Sequence, residues 1–380
     1  MSASSALDVQ ICTSITQVPA SVWAAVDCGE PLISHPWLRV VEDSSADVAE
    51  YRYVLLHDAA GLLAAAVARL VATGSPGNGV DRMLFGRLAR TPERVGLSIL
   101  PALIVGVYEG TAVPVGWRPG LSDDERRQAC VRLVDELERE AGVLGVPLAF
   151  TELPADEPVL QQELIRRGYP VLDYLPGCRM EIAGKNLLEH VRASGDAARS
   201  VDKDVRRERN KIAHAGISIE AVAGKDFGHA DLMPMFEANY AKHGTGPFPF
   251  QRGFLQGLYE LAPDNVAVFA ARRGDQLLGA SCLIHGGQVA HGKYFGVSPA
   301  EGETAFLYFG LVFHAPVEFV AARGIRRLEF GRGMYPTKTR RGCRLVGTRA
   351  YVQPRSMLGR AVMRGWTDLA GRWYRRKVSR

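Results

Sequence analysis

The sequence predicts a mixed α/β (α+β) fold made of two related units, each with a mostly antiparallel sheet flanked by helices. Both halves of the chain contain short apolar strands joined by turn residues, followed by an amphipathic helix and a further strand. The chain has 380 residues, 47% of them hydrophobic, which is enough for two buried cores because a domain typically has about 100–200 residues. These observations predict two domains of similar architecture.

In the first half, apolar residues over 51–58 and 62–71 predict the two strands of a hairpin. Ser122 and Glu125 have the spacing of a capping box, in which each side chain accepts a hydrogen bond from the other residue's backbone. Apolar residues then recur every three or four positions up to Leu144, which predicts an amphipathic helix. A strand and a short helix follow it, at 146–153 and 159–167.

The second half repeats this pattern. Three apolar strands separated by glycine-containing turns predict an antiparallel meander. An aromatic stripe over 304–323 predicts a helix that ends at Gly324, with Pro316 as the position of a kink. The predicted strands are 266–271, 277–284, 289–295 and, after the helix, 327–330.

Between the halves, basic residues along 199–211 have no apolar stripe, which predicts a solvated helix. A phosphate-binding helix is the alternative, with Lys203, Arg206 and Arg207 as its cations. The chain is thereby divided into an N-terminal domain, a basic linker helix, a C-terminal domain and a basic C-terminal tail or helix. Their predicted bounds are 1–182, 183–216, 217–354 and 355–380.

Charge is unevenly distributed along the chain, whose net charge is +5. Residues 323–380 contain 17 Lys and Arg but only Glu329 and Asp368 as acids, so they carry +15 and the preceding 322 residues carry −10. Such a block attracts phosphate-rich partners, such as RNA, a coenzyme pyrophosphate or anionic lipid headgroups. A solvated face or tail explains the same composition equally well.

Several classes of protein receive no support from the sequence. No apolar run is long enough to span a membrane, and residues 1–6 lack the basic start of a secretory signal, so we expect a cytoplasmic protein. The six cysteines form no CxxC pair, and neither a disulfide framework nor a metal site is predicted. The motifs GxSxG, HExxH, GxxxxGK[ST] and GxGxxG are absent, which argues against hydrolases, zinc proteases, nucleotidases and dehydrogenases.

The densest group of candidate site residues lies in 327–344. Glu329 ends a predicted strand, and glycines flank Arg332 in the loop after it. Glycine permits close approach of the backbone to a ligand, and cations bind phosphate or stabilise an oxyanion. An ordinary glycine turn with solvated arginines is the alternative. The group continues with Tyr335, Lys338, Arg340 and Arg341, and a second group at another strand end contains His291, Lys293 and Tyr294.

These segments resemble the Fem-like branch of the GNAT acyltransferase superfamily, in particular a bacterial family labelled peptidoglycan biosynthesis or GNAT N-acyltransferase. The resemblance rests on 277–296, the aromatic helix after it, 324–325, 329–338, Gly342, the basic stretch 197–211 and an opening helix at 33–38 with Glu42. It implies two tandem GNAT-like domains that transfer an acyl or aminoacyl group to the amine of a small-molecule or peptide-like acceptor. The co-substrate is then an aminoacyl-tRNA or an acyl-coenzyme A, with no tightly bound cofactor.

Two departures from the family pattern bear on the substrates. Residues 298–303 do not form the pyrophosphate-binding loop of acetyl-coenzyme A enzymes, and Glu301 and Glu303 would repel a pyrophosphate. We therefore expect aminoacyl-tRNA as the donor. The long coiled-coil insertion of cell-wall Fem enzymes is also absent, which leaves the acceptor open.

The resemblance implies that Lys338 lies near the donor ester and stabilises the oxyanion. Acyl transfer also needs a base for the ammonium proton, for which Glu329 or His291 is predicted, and a proton donor to the leaving group, for which Tyr294 or Tyr335 is predicted. Because Lys338 lies in a predicted loop, Lys338→Ala should reduce turnover and leave the melting temperature nearly unchanged. The residues predicted to bind substrate are Lys293, Arg332, Tyr335, Arg340 and Arg341.

The competing function is a noncatalytic module that binds RNA or an anionic membrane. Trp366, Trp373 and Tyr374 lie among arginines near the C-terminus and suit either surface, because aromatic rings stack on bases or lie at lipid headgroups. Turnover of an amine by the purified protein distinguishes the two functions. The sequence is compatible with a monomer or a dimer.

Overall fold

The computed structural model describes residues 7–45, 49–72, 83, 99–193, 198–223, 232–242, 248–251, 253–298 and 306–378. Its strands are numbered in chain order. They are β1 (Asp8–Cys12), β2 (Glu50–Asp58), β3 (Gly61–Val71), β4 (Ala102–Val105), β5 (Val115–Trp117), β6 (Leu148–Pro154), β7 (Val171–Glu181), β8 (Ser218–Ala223), β9 (Val266–Arg273), β10 (Gln276–Gly286), β11 (Val289–Val297), β12 (Arg327–Glu329) and β13 (Arg344–Gln353).

The helices are numbered in the same way. They are α1 (Ala20–Trp23), α2 (His35–Ser44), α3 (Asp123–Leu144), α4 (Pro158–Arg166), α5 (Leu187–Ala193), α6 (Ala198–His214), α7 (Met233–Lys242), α8 (Phe254–Leu261), α9 (Leu307–Phe309), α10 (Ala315–Ala322), α11 (Tyr335–Thr339) and α12 (Met357–Val378). Among the described residues, no helix is both long and apolar enough to cross a bilayer.

The chain forms two compact units, the first made of Met1–Cys28, Leu32–Pro176 and Val346–Arg380. Its strands are ordered β1-β2-β3-β4-β6-β13, with β5 also paired to β3. The pairs are antiparallel except β4 with β6. Helix α3 contributes its apolar stripe to the core of this unit, together with residues of β2, β3 and β6.

The structure confirms the elements predicted for the first half. Strands β2 and β3 form the predicted hairpin, and α4 ends before Gly168, which has a positive φ of 76°. Helix α3 begins at the predicted capping box: the Ser122 side chain accepts a hydrogen bond from the Glu125 amide, and the Glu125 carboxylate accepts one from the Ser122 amide. Local sequence therefore determines where this helix begins.

The second unit consists of Gly29–Pro31 and Gly177–Leu345. Its strands are ordered β7-β12-β11-β10-β9-β8, and within this order only β11 and β12 are parallel among the described pairs. Strands β9, β10 and β11 form the predicted meander. The aromatic helix crosses this unit's core through Leu311, Phe313 and Val317. Both units thus confirm the predicted class, a mixed fold with mostly antiparallel sheets flanked by helices.

The aromatic helix differs from the prediction in one respect. It runs from α9 through a π-helical turn, Gly310–His314, into α10. Pro316 lies in the first turn of α10, directly after the wide turn. A proline cannot donate a backbone hydrogen bond and its ring crowds the carbonyl four residues earlier, here Val312. The π-helical turn, which is wider than an α-turn, lies where this crowding occurs, directly before Pro316.

The basic segment between the halves also differs from the prediction. Residues 183–216 contain two helices, α5 and α6, and both belong to the second unit. Helix α6 does have a buried stripe, because Val201 and Val205 pack in the core and Glu208 is buried beside them. A stripe of two valines and a glutamate is hard to recognise in sequence, because a charged residue is normally expected on the exposed face of a helix. At the C-terminus, the segment predicted as a tail or helix contains α12.

Candidate functional site

Strands β11 and β12 separate in the middle of the second unit. Their parallel pairing covers three positions and ends where His291 lies opposite Glu329. Strand β11 then continues to Val297, whereas the chain after β12 turns into a loop in which Gly331 and Gly333 have positive φ. The divergence of two neighbouring strands opens a gap in the sheet.

A cavity of about 350 Å³ lies at this gap. Four of the predicted site residues, Lys293, Tyr294, Arg332 and Lys338, line it. The rest of the lining is mainly apolar and aromatic. It consists of Asn239, Phe269, Ser281, Cys282, Leu283, Gly292, Phe295, Tyr308, Leu311, Val312, Pro316, Phe330 and Met334. An apolar cavity with a few polar groups is typical of a small-molecule binding site.

A β-bulge brings Lys293 and Tyr294 to the cavity together. Ser281 pairs with Phe295 and Leu283 with Gly292, so Lys293 and Tyr294 both lie opposite Cys282. In a regular strand, consecutive side chains point to opposite faces of the sheet. The extra residue breaks that alternation and redirects the side chains around it. The bulge lies at the centre of four consecutive residues of β11, 292–295, that line the cavity.

The Tyr294 ring is held by aromatic side chains. Its centroid lies 5.2 Å from that of Phe248, 5.6 Å from that of Phe254 and 5.7 Å from that of Phe236. Tyr294 is 4% exposed, so its phenol position is fixed by packing. The contacts with Phe248 and Phe254 are edge-to-face, and such contacts add to the stabilisation that burial itself provides.

Lys338 lies on the short helix α11 and is 4% exposed. Its Nζ atom donates hydrogen bonds to the carbonyl oxygens of Phe330 (2.8 Å), Gly331 (3.3 Å) and Arg332 (3.1 Å). Three acceptors match the three protons of an ammonium group. Burial lowers the pKa of this amino group below its usual range. Lys338 therefore holds the loop that lines the cavity.

This placement corrects the prediction that Lys338 lies outside the core. A lysine that satisfies three backbone carbonyls in a buried position contributes to folding as well as to the cavity wall. The basis for expecting an unchanged melting temperature in Lys338→Ala is therefore wrong. Its role as an oxyanion stabiliser remains a prediction, and the side chain would have to redirect one of its protons to perform it.

Glu329 and His291 lie at the end of the β11–β12 pairing and outside the cavity lining. The Glu329 carboxylate pairs with the Arg179 guanidinium, and the His291 Nε2 atom lies 2.7 Å from a carboxylate oxygen of Glu30. Arg327 lies between the two carboxylates, 3.5 Å from Glu329 and 3.6 Å from Glu30. Burial raises the pKa of Glu329, and the nearby Arg179 opposes that rise. Their roles as bases remain predictions.

Three predicted substrate-binding residues, Tyr335, Arg340 and Arg341, do not line the cavity. Tyr335 packs against the core. Arg340 pairs with Asp204 at 2.7 Å, and the buried Arg341 pairs with Glu208, whose other oxygen lies 3.0 Å from the His314 Nε2 atom. The guanidinium of Arg341 also lies over the Phe309 ring, 4.0 Å from its centroid. Both arginines connect the region after α11 to helix α6.

The three predicted phosphate-binding residues, Lys203, Arg206 and Arg207, are exposed on α6. Arg206 forms an ion pair with Asp202 at 3.1 Å. None of the three lines the cavity. Residues 299–305, which include the glutamates used to choose a donor, lie outside the described residues.

Sequence reasoning missed several polar residues of the cavity, among them Ser281, Cys282 and Tyr308. The Ser281 hydroxyl donates to the Leu311 carbonyl at 2.6 Å and joins β10 to the π-helical turn. Burial raises the pKa of both Cys282 and Tyr308 to about 12, so neither ionises near neutral pH. Their only sequence signal was their position within predicted apolar elements.

In the described part of the chain, no cluster of three or more His, Cys, Asp or Glu is arranged to hold a metal ion.

Three solved structures of low sequence identity are similar to this chain, and the two with TM-scores above 0.5 share its fold. The C-terminal domain of an Agrobacterium fabrum protein named as a lysylphosphatidylglycerol synthetase is 12% identical with a TM-score of 0.53, over 92% of this chain and 95% of that one. FemX is 11% identical with a TM-score of 0.52, over 83% and 90% of the two chains. A tandem GNAT protein from the clavulanic acid biosynthesis pathway is 9% identical with a TM-score of 0.46, over 92% and 99%.

A search of curated proteins finds no match to this sequence. A family model, FemAB_like, described as peptidoglycan biosynthesis and recognition, matches residues 14–353. This match confirms the resemblance to the Fem-like branch of the GNAT acyltransferases. Because it covers most of the 380 residues, the chain belongs to the FemAB_like family.

Proposed function

We propose that this protein is an acyltransferase that moves an acyl or aminoacyl group to an amine in the cavity between β11 and β12. The observation that carries this proposal is the convergence of Lys293, Tyr294, Arg332 and Lys338 on one largely apolar cavity. A water-poor cavity protects an activated ester or thioester from hydrolysis and strengthens the electrostatic effect of nearby cations. Family membership supports the same class of reaction.

In the proposed reaction, the amine nitrogen attacks the carbonyl carbon of the donor and forms a tetrahedral intermediate with an oxyanion. Lys293 and Arg332, as cations of the cavity, stabilise the developing negative charge. The carbon–oxygen or carbon–sulfur bond to the leaving group then breaks as the amide forms. The Tyr294 hydroxyl donates a proton to the leaving group and regains, through solvent, the proton that the ammonium nitrogen of the tetrahedral intermediate loses.

The residues described around the cavity include no carboxylate and no imidazole. We therefore propose that the acceptor enters as a free amine. The ammonium nitrogen that forms when it attacks the donor then loses its proton to water. The pH dependence of the rate then follows the pKa of the acceptor itself. Glu329 and His291 act in this proposal as positioning residues, because Glu329 fixes β12 to Arg179 of β7 and His291 fixes β11 to Glu30, where the cavity begins.

We propose aminoacyl-tRNA as the donor and acyl-coenzyme A as the alternative. The exposed cations of α6 belong to the same unit as the cavity and suit a polyanionic donor, whose contacts are mainly electrostatic. A lipid acceptor is a second candidate, because the similar Agrobacterium fabrum protein is named for the synthesis of lysylphosphatidylglycerol. The amine of a small molecule or peptide remains the first candidate for the acceptor.

The experiment combines the purified full chain, a set of candidate amines and either a charged tRNA pool or short acyl-coenzyme A donors. Mass spectrometry detects the amide product. Arg332→Gln and Lys293→Met should lose product formation, whereas Lys242→Met, which alters an exposed lysine of the same unit outside the cavity, should retain it. Product that still forms from acyl-coenzyme A after ribonuclease treatment would refute the tRNA donor. Absence of product with every donor and acceptor, together with RNA or vesicle binding, would favour a noncatalytic module.

A further inference from the structure

Helix α12 of the first unit has a buried face. Met363, Ala370 and Tyr374 pack in the core with residues of β4 and β13. The Tyr374 hydroxyl donates a hydrogen bond of 2.7 Å to the Met83 carbonyl, and an Arg364 nitrogen donates one of 3.0 Å to the Gly168 carbonyl. These contacts fix the rotation of the helix about its own axis.

With that rotation fixed, a second apolar stripe faces solvent. Leu358 is 76% exposed, Val362 54%, Leu369 61% and Trp373 47%. They are separated by four, seven and four residues, which places all four on one side of an α-helix. Single exposed apolar residues are common on protein surfaces, but an aligned set marks an interaction surface. We name these four residues the outer stripe.

The same helix is strongly cationic. Asp368 is its one acidic residue in the sequence. Arg372 is exposed and lies within one helical turn of both Leu369 and Trp373. The basic residues of the helix are Arg360, Arg364, Arg372, Arg375, Arg376 and Lys377. A helix that exposes aliphatic and tryptophan side chains among arginines has the composition of one that lies in the headgroup region of an anionic bilayer.

We propose that the outer stripe of α12 docks this protein on the surface of an anionic lipid bilayer. The apolar side chains insert among the acyl chains near the headgroups, and the arginines pair with lipid phosphates. RNA fits the stripe less well, because phosphate contacts and base stacking make no use of exposed leucine and valine. A second copy of the chain also fits less well, because pairing two such helices would bring their cations together.

Co-flotation of the full chain with vesicles tests this surface. Vesicles of phosphatidylglycerol and phosphatidylcholine should carry the protein, vesicles of phosphatidylcholine alone should carry much less, and rising salt should weaken binding. The double variant Leu358→Ser/Leu369→Ser should bind at least about tenfold more weakly, because it removes two inserted side chains. The matched control is Val143→Ser/Ile165→Ser, which alters two exposed apolar residues of the same unit on other helices and should bind like the wild type.

The charge contribution is tested separately. Arg372→Gln should weaken binding to the anionic vesicles about fivefold, as expected for one cation near the surface. Arg39→Gln removes one exposed cation elsewhere in the same unit and should have little effect. All four altered apolar positions are exposed, so melting temperatures should match the wild type and report that the variants are folded.

Three outcomes would overturn the proposal. One is binding to RNA with no binding to anionic vesicles. Another is a dimer in solution that the double variant Leu358→Ser/Leu369→Ser dissociates, with no binding to vesicles. The third is equal loss of vesicle binding in the control and stripe variants. Because none of these measurements uses acyl transfer, they test the surface independently of the proposed reaction.

Discussion

The Nζ atom of Lys338 lies 2.8 Å from the carbonyl oxygen of Phe330, and both residues line the same cavity. This hydrogen bond joins α11 to the end of the sheet, where β12 stops pairing with β11. The amino group also contacts the next two carbonyl oxygens of the loop. One buried side chain therefore fixes the backbone of the loop that forms a wall of the candidate active site.

We expect Lys338→Met to lower the free energy of unfolding by about 2–4 kcal/mol, because it leaves buried carbonyl groups without their donor. Chemical denaturation of the two proteins measures this. Lys242→Met serves as the control, since it removes an exposed lysine of the same unit. Equal stability of Lys338→Met and the wild type would show that the loop does not depend on this contact.

The stabilising effect of Lys338 should increase with pH. Burial lowers its pKa in the folded protein below the ordinary value of 10.5, so the unfolded chain holds the proton more tightly. Stability rises with pH wherever the unfolded state binds more protons. The difference in unfolding free energy between the wild type and Lys338→Met should therefore grow as pH rises from the lowered pKa towards 10.5. A difference that shrinks over this window would contradict the assignment.

The buried pair of Glu208 and Arg341 should matter far more for stability than the exposed pair of Asp204 and Arg340. Arg341→Met leaves Glu208 as a buried carboxylate that keeps His314 as its partner among the described residues, and we expect a loss of about 3–5 kcal/mol. Arg340→Met breaks a surface ion pair and should cost less than about 1 kcal/mol. Thermal and chemical denaturation compare the two variants. Similar effects of both substitutions would contradict the burial argument.

Tyr294→Phe tests the proposed proton donor, because it keeps the ring that packs against Phe248 and Phe254. We expect turnover to fall about 100-fold, as for loss of a general acid, with a melting temperature close to that of the wild type. Tyr259→Phe is the control, since Tyr259 is a buried tyrosine of the same unit that does not line the cavity. Turnover that is unchanged in Tyr294→Phe would remove the hydroxyl from the mechanism.

The proposed entry of the acceptor as a free amine predicts the pH profile of kcat/KM. The rate should rise tenfold per pH unit up to the pKa of the acceptor, and acceptors of lower pKa should reach their plateau at lower pH. Steady-state kinetics with two amines of different pKa measures this. A plateau at the same pH for both amines would instead indicate a base that belongs to the protein.

Elements whose signals are local could be predicted from the amino-acid sequence. The capping box at Ser122 fixed the start of α3, because the side chains and backbone amides of two residues three positions apart are enough to form it. The alternating strands and glycine turns of the second half determined the meander β9-β10-β11 in the same way. Motif positions also identified four of the residues that line the cavity.

Which of the candidate residues meet depends on the fold of the whole unit. The bulge that aligns Lys293 with Tyr294 depends on the register between β10 and β11, and register is a property of two strands. Lys338 is buried because its ammonium group donates hydrogen bonds to carbonyl oxygens of the loop after β12. The residues around Lys338 in α11 give no sign of these contacts. From sequence alone, a charged side chain is expected to be exposed to solvent. Whether it is buried depends on partners that come close only in the folded protein.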